Sequence, residues 1–269
     1  MIRMPAIRGV IRRRVLVNYR VDPDVLAELL PSGLRPKLHG GAGMAGICLI
    51  RLEQIRPSLL PFPLGLRSEN AAHRIAVEWD DEHGQIREGV YIPRRDSSSF
   101  MNRLAGGRLF PGEHQRATFD VADDGIAVAL AMRSADGETT VELRGRRADS
   151  LPDSSRFASL ADASCFFENG AVGLSARRHS EKLDAIRLET DTWRVEPLTV
   201  ERVTSSYFDD PRHFPSGSVE FDCALIMRDI PHEWHAAGGL PDAGHAPVSS
   251  RDAAPASSAR SRTQKATSI

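Results

Sequence analysis

Apolar and polar residues alternate in short runs along most of the chain, the period-2 signature of strands that bury one face. In HRIAVEWD, His73, Ile75, Val77 and Trp79 alternate with Arg74, Ala76, Glu78 and Asp80, which predicts a half-buried strand. The same period places Gln115, Ala117, Phe119 and Val121 on one face, and Val219, Phe221, Cys223, Leu225 and Met227 on one face of a later run. Residues 12–20 (RRRVLVNYR) predict an early strand, and AVGLSARR, LDAIRLE and TWRVEPLTVE predict three late ones. AGICLIRLEQI is apolar on both faces except where Arg51 and Glu53 share a side. Asp-Gly pairs at 124–125 and 136–137 are hairpin turns framing GIAVALAMRS and ETTVELRGR.

Helical periodicity is brief. Asp22 can cap a helix that Pro23 opens, with Val25, Leu26, Leu29 and Leu30 on its apolar side and Pro31 and Gly33 ending it. Asp96 ahead of SSSFMNRLAGG predicts a second, capped helix with Phe100, Met101 and Leu104 inward. SSRFASLADASCFFENG predicts a third that stops at Asn169-Gly170, and the three prolines of segment 57–65 predict an extended covering loop. About ten strands against two or three short helices give a mainly β (α+β) fold, predominantly antiparallel and closed or strongly curved. One core is expected over residues 1–235. Residues 236–269 are Gly, Ala, Pro, Ser and Arg with almost no large apolar side chain, and a disordered tail is expected there.

Composition narrows the function. A net charge of −1 and a pI near 6.8 give no electrostatic footprint for nucleic acid or an anionic membrane. No run approaches the roughly 18 apolar residues of a membrane span, and no signal-peptide pattern opens the chain, so a cytoplasmic protein is expected. Cys48, Cys165 and Cys223 are widely spaced without a CxxC pair, which fits a reducing compartment and core positions. His232 and His235 lie three residues apart, a spacing that on a helix offers two metal ligands, but a third is missing and no metal is expected. Neither a phosphate-cradling glycine motif nor a GxSxG elbow is present, and no cofactor is expected.

What remains is a set of polar side chains at strand ends beside Pro or Gly turns, where rigid β scaffolds present functional groups. These are Arg20, Glu53, Glu69 and the cluster Glu113, His114, Gln115 and Arg116. If they form a site, Arg20 and Glu69 should meet in one concave pocket.

Several of these stretches resemble the acetoacetate decarboxylase-like superfamily over roughly residues 10–232, and more closely its uncharacterised YqjF-like bacterial branch. The resemblance is carried by VLVNYRVDPDVLAELLPSGLRP, HRIAVEW, GVYIPRRDSSSFMNRLAGGRLFPGEHQRATF, and FFENGAVGLSARR followed by TWRVEPLTVE. It implies a cone-like antiparallel β barrel with a few flanking helices. It also implies that Arg20, Glu69 and, more loosely, Glu53 resemble the decarboxylases' binding residues. In GRLFPGEHQRA the family's catalytic lysine positions fall on Gln115 and Arg116, to within one residue. The Schiff base of the decarboxylase needs a lysine made nucleophilic by a neighbouring cation. Glutamine and arginine do not form that imine. Of the three lysines, Lys37, Lys182 and Lys265, none suits the role.

The sequence therefore implies a pocket binding a small organic acid or carbonyl compound without Schiff-base decarboxylation, with Arg20, Glu53, Glu69, Gln115 and Arg116 as binding residues. The alternative is a lysine-independent lyase or isomerase in which Glu69 or His114 moves protons on a keto or enol substrate. A homo-oligomer is compatible with either reading.

Overall fold

A computed structural model describes residues 6–58, 66–99, 114–176 and 183–237. The predicted helix after Asp96 and the disordered tail fall almost entirely outside the described residues, as does most of the proline-rich segment 57–65. Thirteen strands and two helices are described. The strands are β1 (Ile7–Val21), β2 (Arg35–Pro36), β3 (Leu38–His39), β4 (Ala42–Pro57), β5 (Leu66–Asp80), β6 (Ile86–Ser97), β7 (His114–Asp123), β8 (Ala127–Ser134), β9 (Thr140–Arg147), β10 (Val172–Ala176), β11 (Leu183–Glu189), β12 (Glu196–Ser205) and β13 (Val219–Ala236). The helices are α1 (Pro23–Glu28) and α2 (Leu160–Asn169). Neither is long and apolar enough to cross a membrane.

The local chemistry behaves as the residues dictate. Asp22 accepts the Asp24 amide at the start of α1, Pro23 opens the helix, and Ser159 accepts the Asp162 amide at the start of α2. At the β7–β8 turn Gly125 takes φ +91°, and Asp124 accepts the amides of Ile126 and Ala127 at 2.8 and 2.7 Å. Asp96 caps no helix. It lies within β6, wholly buried, and accepts both Nε and Nη2 of Arg94.

The sheet closes on itself twice. One closed barrel of nine strands runs β6, β7, β8, β9, β12, β13, β1, β4, β5 and back to β6. A smaller ring, the cone, leaves β6 through a parallel pairing with β10 and returns to β13 through β11. The strands β13, β1, β4, β5 and β6 belong to both rings. All pairings are antiparallel except β6 with β7 and β6 with β10.

Shared strands have no wet face along most of their length. On one side Val15, Val17, Ile47, Leu49, Ile75, Val77, Ala224 and Ile226 join Leu130, Leu143 and Leu198 in one apolar cluster. On the other side Leu16, Met44, Cys48, Ala76, Leu225 and Met227 join Phe157, Phe166 and Phe167 in a second. This corrects the half-buried reading of β5, since Arg74 and Ala76 are as deeply buried as His73 and Ile75. It also corrects the single face assigned to β13. The pairing with β1 slips at Asp222, so Val219 and Phe221 pack with the barrel cluster while Cys223, Leu225 and Met227 pack with the cone cluster.

Close approach on the shared strands demands glycine at Gly46, where an added Cβ would lie 2.1 Å from the Val17 carbonyl oxygen. Gly46→Ala should lower stability by roughly 3 kcal/mol, the upper end for overpacking against an unyielding neighbour, read as a lower urea midpoint at unchanged slope. A second expectation follows from His73, fully buried in the barrel with Nε2 3.3 Å from Ser205 Oγ and its ring tilted against Tyr207 at 4.5 Å between centroids. Burial, with Arg94 nearby, pushes its pKa down to about 3. The unfolded chain therefore takes up this proton first as pH falls below about 6.5, and stability drops from there toward pH 3 at about 1.4 kcal/mol per pH unit. Urea unfolding at a series of pH values should show that slope reduced by this amount in His73→Leu.

Candidate functional site

The cone holds a cavity of about 130 Å³. Its position follows from register on the shared strands. Leu16, Cys48, Ala72, Arg95 and His114 stand opposite one another across β1, β4, β5, β6 and β7. Two residues along one way lie Arg14, Ile50 and Asn70, and two the other way Asn18, Gly46 and Arg74. Small residues make the space: Ala72 and Gly173 line it, and a Cβ on Gly173 would stand 3.7 Å from Arg95 Nη2. Ile186, Leu188 and Trp234 form an apolar wall from β11 and β13.

Three guanidinium groups line this one cavity, those of Arg14, Arg74 and Arg95. Among the described residues none of them is paired with a carboxylate. Arg74 is 4% exposed, donates to Asn18 Oδ1 and lies 4.9 Å from the centre of the Phe167 ring. Arg14 donates through Nε to Cys48 Sγ at 3.4 Å and stacks 5.6 Å over Trp193. Arg95 donates only to Ser175 Oγ, at 3.1 and 3.3 Å. Buried donors are left over, since Nε of Arg74 and Nη1 of Arg14 have no hydrogen-bond partner. Burial pushes the pKa of Arg74 and of Arg95 down to about 10, so both stay cationic at neutral pH. His114 enters the same cavity; burial, and then the charge of Arg95, push its pKa down to about 4. At neutral pH its ring is uncharged.

The residues expected to form the site are scattered instead. Arg20 lies toward the opposite end of β1 from Arg13, which carries the contact to Glu69. It is ion-paired with Glu220 and with the fully buried Asp222 at 3.4 Å, and donates to the Ser154 carbonyl at 2.9 Å. Asp222 also accepts Ser155 Oγ and the Arg156 amide, so Arg20 anchors a connection and is not available to a ligand. Glu69 belongs to the barrel side of β5. It accepts Arg13 at 2.6 Å and lies 3.4 Å from Arg51, which in turn reaches Glu53 at 3.0 Å. Arg12 ties Glu53 to Asp229, and Asp123 bridges Arg13 to Arg228. Burial pushes the Glu69 carboxyl up against the pull of Arg13 and Arg51. The structure thus joins Glu53 and Glu69 through Arg51, but away from Arg20 and outside the cone, and the Arg20–Glu69 pocket does not form.

Gln115 does share its face with Ala117, Phe119 and Val121, as the alternation requires. That face belongs to the barrel, and Gln115 borders an open cleft of about 540 Å³ with Arg94, Tyr207 and Arg212. Arg116 is exposed. Among the described side chains of this segment, the one that lines the cone is His114; Glu113 lies outside the described residues. His232 and His235 lie on β13, not on a helix, where three residues separate opposite faces. His232 is buried against Trp234 and His235 pairs with Glu189 and Glu233.

Arg14, Cys48, Arg74 and Arg95 are the residues that sequence reasoning missed. The signal available was Arg74 within the apolar stretch AAHRIAV, placed on the polar face of a half-buried strand, and Arg14 beside VLV.

With this geometry in place, similarity becomes interpretable. No curated protein matches the sequence. Among solved structures, an acetoacetate decarboxylase from Legionella pneumophila superposes with a TM-score of 0.54 at 11% identity, covering 87% of each chain. The enduracididine biosynthesis enzyme MppR, in complex with pyruvate, gives 0.54 at 14%, covering 90% of this chain and 92% of that one. An acetoacetate decarboxylase-like enzyme from Sphingomonas wittichii gives 0.51 at 14%, covering 87% and 90%. At such identities the likeness is one of fold. The family profile of DUF2071, described as an uncharacterized conserved protein, matches residues 10–215. By that match the chain belongs to the DUF2071 family, built on the acetoacetate decarboxylase-like fold.

Proposed function

We propose that the cone binds a small organic acid, whose carboxylate is held by Arg14, Arg74 and Arg95. One observation carries this reading: three guanidinium groups line a single small cavity and none has a carboxylate partner among the described residues. Leaving a buried charge uncompensated typically costs about 3–5 kcal/mol, and an anionic ligand supplies what the chain omits. A carboxylate accepts charge-assisted hydrogen bonds from guanidinium forks, and Ile50, Leu52, Ile186 and Trp234 accommodate a short carbon skeleton. A cavity of about 130 Å³ suits a short-chain acid. A protein of the same fold binding pyruvate supports the ligand class.

No lysine is among the described residues that line the cavity, and Lys182 and Lys265 lie outside the described residues. Lys37 lines a separate, smaller cavity that also touches Arg14 and Arg74, paired with Glu88 at 2.5 Å and 4.2 Å from the Phe166 ring centre. The reading is accordingly of binding without a Schiff base. Pyruvate, acetoacetate and short 2-enoic acids should raise the melting temperature; a ligand at a hundred times its Kd adds about 2.7 kcal/mol. Arg74→Gln should weaken binding ten- to a hundredfold, since a hydrogen bond to a charged group is worth about 1.5–3 kcal/mol. Arg20→Ala should lose stability while keeping the ligand shift. Full ligand shifts in Arg74→Gln, or none from any acid in the wild type, would overturn the proposal.

A second reading, a lyase or isomerase acting on a keto or enol acid, is favoured by His114. Its ring is the free base at neutral pH and shares the cavity with the arginines. A base beside a carboxylate-holding cluster can take the proton next to a keto group. Pyruvate in deuterated water should then exchange its methyl hydrogens at a rate that rises as pH climbs through about 4 and is flat above. His114→Asn should abolish the exchange and leave the ligand-induced thermal shift. Exchange no faster than in the variant leaves binding alone.

A further inference from the structure

We infer that Cys48 is a reacting thiol: the cone positions small electrophilic carboxylates, 2-enoic acids in particular, for addition of the Cys48 sulfur. The inference rests on the acid-binding reading of the same cavity and adds a covalent step to it. Cys48 is 8% exposed and lines the cavity from β4. Its register neighbours are what distinguish it from an ordinary core thiol. On β1 it stands opposite Leu16, flanked two residues away by Arg14 on one side and Asn18 on the other. On β5 it faces Ala72, flanked two residues away by Arg74. Past the small Ala72, the next strand offers Arg95. The sulfur therefore stands between the three guanidinium groups, and accepts one of them, Arg14 Nε, at 3.4 Å.

A second observation points to a ligand beside the sulfur. Arg74, 4% exposed, leaves its Nε without a partner, and Arg14 leaves Nη1, so donors for an anion flank the thiol on both sides. An acid held by those donors carries its second and third carbons over Cys48. Holding two reacting groups at that separation replaces an encounter in solution by an intramolecular step, for which effective molarities are large. In the addition, Sγ forms a bond to the third carbon of the enoic acid and the carbon–carbon π bond breaks toward the second carbon. That carbon takes the proton the thiol gives up. The product is a saturated thioether acid, and no oxidant or reductant enters.

The other cysteines provide internal references. Cys165 is exposed on α2 with no arginine among its described contacts, and Cys223 is buried, its sulfur accepting from Asn18 Nδ2 at 3.5 Å. Iodoacetate and iodoacetamide alkylate a thiol by the same displacement and differ by a carboxylate against an amide. With the full-length protein, peptide mapping after brief exposure should give an iodoacetate-to-iodoacetamide rate ratio at Cys48 about tenfold or more above the ratio at Cys165. Pyruvate should protect Cys48 and not Cys165, and Arg14→Gln should bring the two ratios together. Crotonate should leave an adduct of one acid on Cys48. Equal ratios at both cysteines, or a Cys48 that neither reagent reaches, would refute the inference. Cys48→Ser separates the two claims. If its melting temperature still rises with pyruvate while the wild-type Cys48 ratio equals that of Cys165, only the covalent step fails. If pyruvate shifts neither protein, the acid-binding reading fails with it.

Discussion

Sharing β13, β1, β4, β5 and β6 between two closed rings is the constraint from which the rest of this molecule follows. A strand in an ordinary antiparallel sheet can send every second side chain to water. Here both sets meet a packed interior along most of the shared length, so each charged residue on these strands needs a partner or a purpose. Burial on two sides also removes room for error in backbone spacing, which is why Gly46 can carry no side chain beside Val17.

The two interiors meet that demand differently. On the barrel side, guanidinium and carboxylate groups are matched in a chain from Asp229 through Arg12, Glu53, Arg51, Glu69 and Arg13 to Asp123 and Arg228. Arg94 is likewise enclosed by Asp96, Asp136 and Glu138. On the cone side the neighbours of Arg14, Arg74 and Arg95 are an amide, a hydroxyl, a thiol and aromatic rings. These soften the cost of burying the cations without neutralising them. A chain that pairs its arginines so thoroughly on one side of a strand, and leaves them without carboxylate partners among the described residues on the other, separates two kinds of buried cation by the pleat alone.

Much of the fold was legible from alternation, caps and turns. Asp-Gly hairpins, the Asp22 and Ser159 caps and the stop at Gly170 are local devices, and local signals suffice for them. The site was less legible because its residues are defined by closure, which no local pattern encodes. Arg74 looked like the wet face of an edge until β10 and β11 covered it. The slip at Asp222 exchanged faces within β13, and the pair of left-handed residues Gln54 and Asp229 marks irregular register near the other end of the shared strands. Arg20 misled for the opposite reason: its position before a capped helix is conspicuous in sequence, and the connection it anchors is visible only in three dimensions. In the 113–116 cluster, His114 lines the cone while Gln115 faces the barrel, because alternation alone does not say which of two interiors a face enters.

That last ambiguity has a consequence for how such a pocket changes over evolutionary time. The strand carrying His114 meets β6 through only three parallel pairs, Arg95 with His114, Asp96 with Gln115 and Ser97 with Arg116. A slip of one residue there would rotate an imidazole out of the cone and an amide in, with every amino acid retained. A single insertion between β6 and β7 is enough to offer that slip. Proteins of this architecture therefore have a route to new pocket chemistry through the length of one connection, independent of substitution at the pocket itself.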